Sequence, residues 1–277
     1  MDIQRTFHLH MISDATGETL ATIAKAVRVQ YAQVRAIEHL HPLVRSRREL
    51  QRVFKDVEAS PGIVLYTIFS KELAEELEQS CKRLNIPCVA ALKPILQVFE
   101  SYLGTKSTPT VGGQHVLDAD YFRRIEALNF TMLHDDGHLP DNLNDADIVL
   151  VGISRTSKTP TAIYLANRGF KTANVPLVPG MAVPPQLEAP TNAFVVGLVA
   201  SADRIAQVRQ NRVIEHAHGR LDDYVDREAI AAEIAQTRSL CARHGWPIID
   251  VTRRSIEETA AAIIRLYDDR EAPALEA

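Results

Sequence analysis

Apolar residues along this chain fall into short dense runs, separated by longer stretches in which they recur every three or four positions. Phe7 to Ile12 alternates apolar and polar and predicts a strand. The polar segment Ser13-Asp14-Ala15-Thr16-Gly17-Glu18-Thr19 follows, then the amphipathic stretch Leu20 to Tyr31. Ser13 and Asp14 are N-cap residue types for that helix, and Glu18 suits the positive end of its dipole. Arg45 to Lys55 reads as a charged helix with apolar positions at Leu50, Val53, Phe54 and Val57. Gly62 to Phe69 is nearly continuous in apolar residues, as expected of a strand buried on both faces. Ser70 then caps a helix to about Leu84, and Pro87 to Leu92 reads as a short strand.

The second half repeats the rhythm. A helix is expected from Asp118 to Leu128, a strand at Asp147 to Val151, and a helix from Pro160 to Asn167. Strands are expected at Asn174 to Val178, Ala193 to Leu198 and Pro247 to Val251, and helices at Ser201 to Ala217, Asp226 to His244 and Ser255 to Tyr267. Strands alternating with helices predict an α/β chain with mostly parallel sheets and helical crossovers. The stretch Ser101 to Gln114, with Gly104, Gly112, Gly113 and Pro109, is the best linker. Two α/β halves are therefore expected, an N-terminal domain over 1–105 and a C-terminal domain over 106–277. Ile12-Ser13-Asp14-Ala15-Thr16 and Ile153-Ser154-Arg155-Thr156-Ser157 both sit at a strand end before a helix. That echo admits either a pseudo-repeat or chance similarity of two strand-to-helix turns.

Composition narrows this little. The 277 residues suit one large or two small domains at roughly 150 residues each. With 46% hydrophobic and 24% charged residues, whole-chain disorder is excluded, and 6% aromatics make the core aliphatic. The net charge of -4 disfavours a nucleic-acid coat while leaving room for a local basic pocket. Three cysteines, Cys81, Cys88 and Cys241, form no Cys-x-x-Cys and imply neither a disulfide framework nor a zinc ribbon. No apolar run approaches a membrane span of about 18 residues, and no signal core follows Met1. A soluble protein of a reducing cytoplasm is expected, with no membrane and no nucleic-acid partner.

The clearest chemical signal is Gly152-Ile153-Ser154-Arg155-Thr156-Ser157-Lys158-Thr159, between a strand and a helix. A phosphate-binding P-loop places a Gly, four residues later Gly-Lys, and then Ser or Thr in this context. Backbone N–H groups of such a loop and the start of its helix face phosphate oxygens. Lys158 supplies a point charge, and the Thr159 hydroxyl is a Mg²⁺ ligand type. Pro160 is tolerated in the first turn. Ser157 replaces the usual Gly, which the loop accommodates if that position keeps φ below zero. The competing reading is a Ser/Thr-rich cap with an exposed lysine.

Other polar clusters carry weaker signals. His134-Asp135-Asp136-Gly137 offers carboxylates for a general base or a water-mediated Mg²⁺ contact, though Asp-Gly is also a common turn. Histidines two apart recur at His8/His10, His39/His41 and His216/His218, without partners at zinc-ligand spacing. Arg45, Arg47, Arg48 and Arg52 read as a solvated helix face, and Arg123, Arg124, Arg253 and Arg254 likewise. Ser13-Asp14 with Thr16-Gly17 is a candidate second anion-binding turn, against simple capping.

Taken together, His10 to Thr19, then His134 to Gly137, then Gly152 to Thr161 and Tyr164-Leu165-Ala166 resemble the pyruvate, phosphate dikinase regulatory protein family, the bifunctional kinase–pyrophosphorylases. The resemblance runs from about His8 to the last helix. It implies a C-terminal domain like that of P-loop kinases, and a regulator that phosphorylates a Thr of the dikinase with ADP as donor, releasing AMP. It also implies removal of that phosphate by inorganic phosphate, giving pyrophosphate. Residues Gly152, Ile153, Ser154, Arg155, Thr156, Ser157, Lys158 and Thr159 would then cradle the ADP phosphates. Lys158 would stabilise the transferring group, Asp135 or Asp136 would orient or deprotonate the target hydroxyl, and Arg155 would pair with phosphate. Mg²⁺ is the candidate metal, its ligands unassigned. The Ser13 to Thr19 segment favours the dikinase over phosphoenolpyruvate synthase as target. A small-molecule kinase using ATP and a non-catalytic nucleotide sensor are the alternatives. The oligomeric state is left open, with a homodimer among the options.

Overall fold

The structure, a computed structural model, describes residues 5–108, 110–113, 119–135, 143–178, 184–188, 192–215 and 226–271. It divides into two compact units, Met1–Val116 and Leu117–Ala277.

The first unit contains β1 (Arg5–Ser13), α1 (Glu18–Arg28), β2 (Val34–His41), α2 (Arg47–Ala59), β3 (Gly62–Thr67), α3 (Lys71–Arg83), β4 (Cys88–Ala90) and α4 (Lys93–Leu103). Its strands form one sheet in the order β2-β1-β3-β4, every pair parallel. Right-handed crossovers explain the layering. The step from β1 to β2 runs one way along the sheet, and the steps from β2 to β3 and from β3 to β4 run the other. So α1 covers one face, on Leu9 and Met11, while α2 and α3 cover the opposite face, on Ile12, Val64 and Tyr66. The expectation of a strand buried on both faces is only half met at β3. Ile63 and Leu65, on the side with a single helix, are half-buried.

Local chemistry sets the helix starts. Ser46 accepts the Glu49 N–H at 3.3 Å, and Glu49 reaches back to the Arg45 N–H at 2.9 Å, a capping box. Ser70 accepts the Leu73 N–H at 3.4 Å, as its sequence position suggested. The expected capping of α1 by Ser13 or Asp14 is not seen. Its N-cap is Gly17, left-handed at φ 82, with no side-chain bond to the helix, while Ser13 ends β1. Glycine suits that position, because an L side chain at φ 82 is strained whatever the space around it.

The second unit contains α5 (Ala119–Leu133), β5 (Ile148–Gly152), α6 (Lys158–Ala166), β6 (Thr172–Pro176), α7 (Pro185–Glu188), β7 (Phe194–Val199), α8 (Ala202–Glu215), α9 (Arg227–His244), β8 (Ile248–Asp250) and α10 (Ile256–Glu271). Its strand order is β6-β5-β7-β8, again all parallel. This is the same topology as in the first unit: the first strand is inner, the second lies to one side, and the third and fourth lie to the other. Here both faces are well covered. Every residue of β5 and β7 is buried, and helices α6 and α10 pack on Ile148, Leu150 and Val196. Gly197 lets α9 approach, since a Cβ would meet Cys241 Sγ at 2.5 Å. Among the described residues no helix is long and apolar enough to cross a membrane.

Candidate active site at the second sheet

The chain leaves the carboxyl end of β5 at Gly152, where a Cβ would overlap the Leu198 carbonyl oxygen. Only glycine permits that approach. Residues 153–157 then turn back into α6. The Thr156 hydroxyl donates to the Ile153 carbonyl at 2.9 Å, and Lys158 Nζ donates to the same oxygen at 2.9 Å. The loop therefore closes on itself, with Lys158 only 6% exposed. This corrects the reading of an exposed lysine beside an ordinary cap. The Ser157 side chain makes no hydrogen bond to the start of α6, so the positive end of that helix is not capped by its own N-cap residue.

Ser157 departs from the expectation of a negative φ. It lies in the left-handed region at φ 58, as does Arg155 at φ 73. The backbone holds the conformation that a glycine gives a P-loop, at a cost of about 1–2 kcal/mol for an L-residue. The nest of N–H groups depends on this alternation of backbone hands, and the serine follows the loop.

Asp135 lies beside the loop. Its Oδ1 accepts from the Thr159 hydroxyl at 3.0 Å and from Asn174 Nδ2 at 2.6 Å, and that same amide reaches Thr159 Oγ1 at 3.0 Å. Three side chains from three segments (the end of α5, the start of α6 and β6) converge on one point. The Asn174 N–H also donates to the His134 carbonyl at 2.9 Å, anchoring that segment along β6. His134 is buried, stacks on Phe130 at 3.8 Å between centroids and bonds the Phe130 carbonyl through Nδ1 at 2.7 Å. It acts as a peg that fixes the end of α5. Asp136 and Gly137 lie outside the described residues.

Asn174 was missed by sequence reasoning, although a signal existed. It is a polar residue inside the buried strand Thr172–Pro176, 1% exposed, and a buried polar side chain needs a reason. Around the loop, Arg155 Nε, Asn174 Oδ1 and Thr161 Oγ1 are buried without a hydrogen-bond partner. Such atoms commonly mark a place completed by a ligand or water. The donors suit the candidate metal. Thr159 and Asp135 present hard oxygens side by side, the type that Mg²⁺ prefers, with no thiol or imidazole among them.

His8, His10, His39 and His41 stack in a ladder across β1 and β2, with centroids 4.5 to 5.5 Å apart. Among the described residues no group of three or more His, Cys, Asp or Glu could hold a metal ion. His216 and His218 lie outside the described residues. The arginines behave largely as expected: Arg48 and Arg52 are exposed, and Arg47 pairs with Glu76 at 3.2 Å. Arg45 differs, donating from Nε to the Asp14 carbonyl at 2.7 Å.

A glycine-led loop between a parallel strand and a helix, holding a buried lysine and backed by a Thr–Asp–Asn cluster, marks the candidate site of this α/β protein. The chain belongs to the kinase/pyrophosphorylase family, whose pattern matches residues 9–264. It is 60% identical over 263 residues to a protein of Chelativorans sp. (strain BNC1), covering 95% of this chain and 97% of the relative. It is 58% identical over 266 residues to one of Bradyrhizobium diazoefficiens, covering 96% and 95%. A third, from Rhizobium meliloti, is 57% identical over 263 residues, covering 94% and 96%. Each carries the name "Putative pyruvate, phosphate dikinase regulatory protein".

Proposed function

We propose that the protein regulates pyruvate, phosphate dikinase in both directions. It phosphorylates a threonine of the dikinase with ADP, and it removes that phosphate with inorganic phosphate. The observation that carries this reading is the buried Lys158 of the 152–159 loop, with Asp135 and Asn174 bonded to Thr159 beside it in the chain. The names of the relatives support the dikinase as partner.

In the forward direction residues 152–159 hold the phosphates of ADP. The threonine oxygen bonds to the β-phosphorus, the bond from that phosphorus to the bridging oxygen breaks, and AMP leaves. The hydroxyl proton passes to a carboxylate of the Asp135–Asp136 pair. Asp135 Oδ1 is occupied by Thr159 and Asn174, which leaves Oδ2 to face the incoming hydroxyl. Lys158 leaves the Ile153 carbonyl to meet the charge that develops on the transferring group. The oxygens of Thr159 and Asp135 would hold Mg²⁺, which when bound would supply positive charge at the phosphates. In the reverse direction an oxygen of inorganic phosphate bonds to the phosphothreonine phosphorus. The bond to the threonine oxygen breaks, that oxygen takes a proton, and pyrophosphate leaves from the same loop.

The test is incubation of the full-length protein with purified dikinase and β-labelled ADP. Label is expected on a dikinase threonine, and its release as pyrophosphate on adding phosphate. Lys158→Ala is expected to lower both rates at least about 100-fold, because one cradle serves both reactions. Label transferred only to phosphoenolpyruvate synthase would overturn the target. Normal phosphorolysis by Lys158→Ala would overturn the shared site, and use of ATP in place of ADP would overturn the donor.

A further inference from the structure

The first unit repeats the topology of the second, so it has its own point at which strand order reverses, between the carboxyl ends of β1 and β3. Open parallel sheets bind ligands in the crevice at that point. A cavity of about 120 Å³ lies there, lined by Ser13, Asp14, Gly17, Thr67, Gly112 and Gly113 among others. It adjoins, through Asp14, a second hollow of about 240 Å³, lined by Val44, Ile68, Leu73 and Val111 together with Arg45 and Ser70. None of these residues takes part in the chemistry derived above.

The polar groups decide what can enter. In the second unit the corresponding crevice presents Lys158, whereas here the central side chain is Asp14, 3% exposed. Its Oδ2 accepts the Phe69 N–H at 2.7 Å, and a carboxylate has further lone pairs on both oxygens to offer a donor. A buried carboxylate with a spare acceptor repels phosphate, which removes the anion-binding reading of the Ser13 to Gly17 turn. An ammonium group is also disfavoured, because Arg45 donates to the Asp14 carbonyl at 2.7 Å and keeps a guanidinium beside the opening. Neutral hydroxyl donors satisfy the carboxylate without either repulsion. The neighbouring groups are hydroxyls too: Thr67 Oγ1 donates to Ser13 Oγ at 3.0 Å. Beside this polar centre the aliphatic walls of the larger hollow suit a flat apolar ring.

We propose that this crevice is a second ligand site, which takes the ribosyl group of a nucleoside, its hydroxyls on Asp14 and its base against Val44, Ile68, Leu73 and Val111. The site is built from residues of the first unit alone and does not depend on the reaction assigned to the second.

The experiment uses the full-length Lys158→Ala protein, so that the phosphate loop does not contribute. Adenosine, ribose and inorganic phosphate are titrated separately by calorimetry. One adenosine is expected per chain, and adding Asp14→Asn is expected to weaken it at least about tenfold, the range for a hydrogen bond to a charged group. Weaker binding of ribose than of adenosine is the further expectation, since the sugar lacks the ring for the apolar walls. Absence of adenosine binding, an unchanged affinity in Asp14→Asn, ribose binding as tightly as adenosine, or phosphate binding that Asp14→Asn abolishes would each overturn the proposal. A measurement without the Asp14 variant guards against its misfolding. Adenosine is expected to slow amide exchange at residues 13–19 and 110–113 of the Lys158→Ala protein, and slowing confined to other segments would overturn the site.

Discussion

Ser157 and Asn174 shape the candidate site through backbone and position rather than through reactivity. Ser157 sits at φ 58, where a side chain is a burden and glycine is at ease. Ser157→Gly is therefore expected to stabilise the second unit by up to about 1 kcal/mol. In a domain of this size that is a rise in melting temperature of about 2–4 °C, measurable by calorimetry. A fall in melting temperature would mean that the serine side chain holds the loop. Asn174 links Asp135 to Thr159 and is a positioning residue. Asn174→Ala is expected to lower kcat about 10–100-fold with a smaller change in the KM for ADP, and to raise the Mg²⁺ concentration needed for half activity. A purely structural role would instead lower the melting temperature and leave the metal requirement unmoved. The loop was legible in the sequence because its residues are consecutive. Asn174 was not, because its partners lie 15 and 39 positions away and meet it only in the fold.

Among the elements, β2, α4 and the short α7 are ones that hydrophobic patterning did not reveal. The strand β2 is an edge strand with mostly exposed or half-buried positions, and its His39 and His41 read as possible ligands rather than as part of a sheet. In α4 the apolar Ile95, Val98, Phe99 and Tyr102 recur at helical spacing, yet none is buried, and its end overlaps the expected linker. The parallel register sets His10 beside His39 and builds the ladder. His10 Nδ1 meets His41 Nε2 at 3.2 Å, His8 Nδ1 meets His39 Nε2 at 2.8 Å, and His10 Nε2 meets the Ser60 carbonyl at 2.8 Å. Burial, and then the neighbouring imidazoles, hold His10 below its ordinary 6.5, against the Ser60 carbonyl and Asp56. His41 is lowered by burial first, then by His10 and His39, against Asp56. Both are therefore more readily protonated in the unfolded chain than in the folded unit. Their contribution is present above pH 6.5 and is lost as pH falls through the lower folded values. Amide exchange in residues 5–67 is expected to accelerate between pH 7 and pH 5 beyond the intrinsic effect of pH. His10→Gln is expected to flatten that dependence, and an unchanged slope would remove the ladder as its source.

At the scale of the molecule, two sheets of one topology carry different chemistry at equivalent ends, lysine in one and aspartate in the other. Each unit has its own buried core: Leu50 and Val57 lie in a cluster of the first, Leu150 and Leu198 in one of the second. Leu50→Ala leaves a cavity at a fully buried position and is expected to destabilise the first unit by about 2–5 kcal/mol. Exchange measured along the whole chain is expected to lose protection in Met1–Val116 and to keep it in Leu117–Ala277. Equal loss in both would show that they unfold as one. The class of fold, most strands, the capping residue of α3, and the Gly152–Thr159 loop between strand and helix follow from short stretches of sequence, since period, caps and consecutive motif residues are local. The echo between Ile12–Thr16 and Ile153–Ser157 was visible but undecidable until strand order showed the two turns in equivalent places. What only the tertiary structure decided is everything set by neighbours distant in the chain: the backbone hand of Ser157, the clamp of Asn174 on Asp135, the histidine ladder and the burial of Asp14. Each depends on which strands lie side by side and which helix covers them, and a parallel sheet brings together residues that the sequence keeps tens of positions apart.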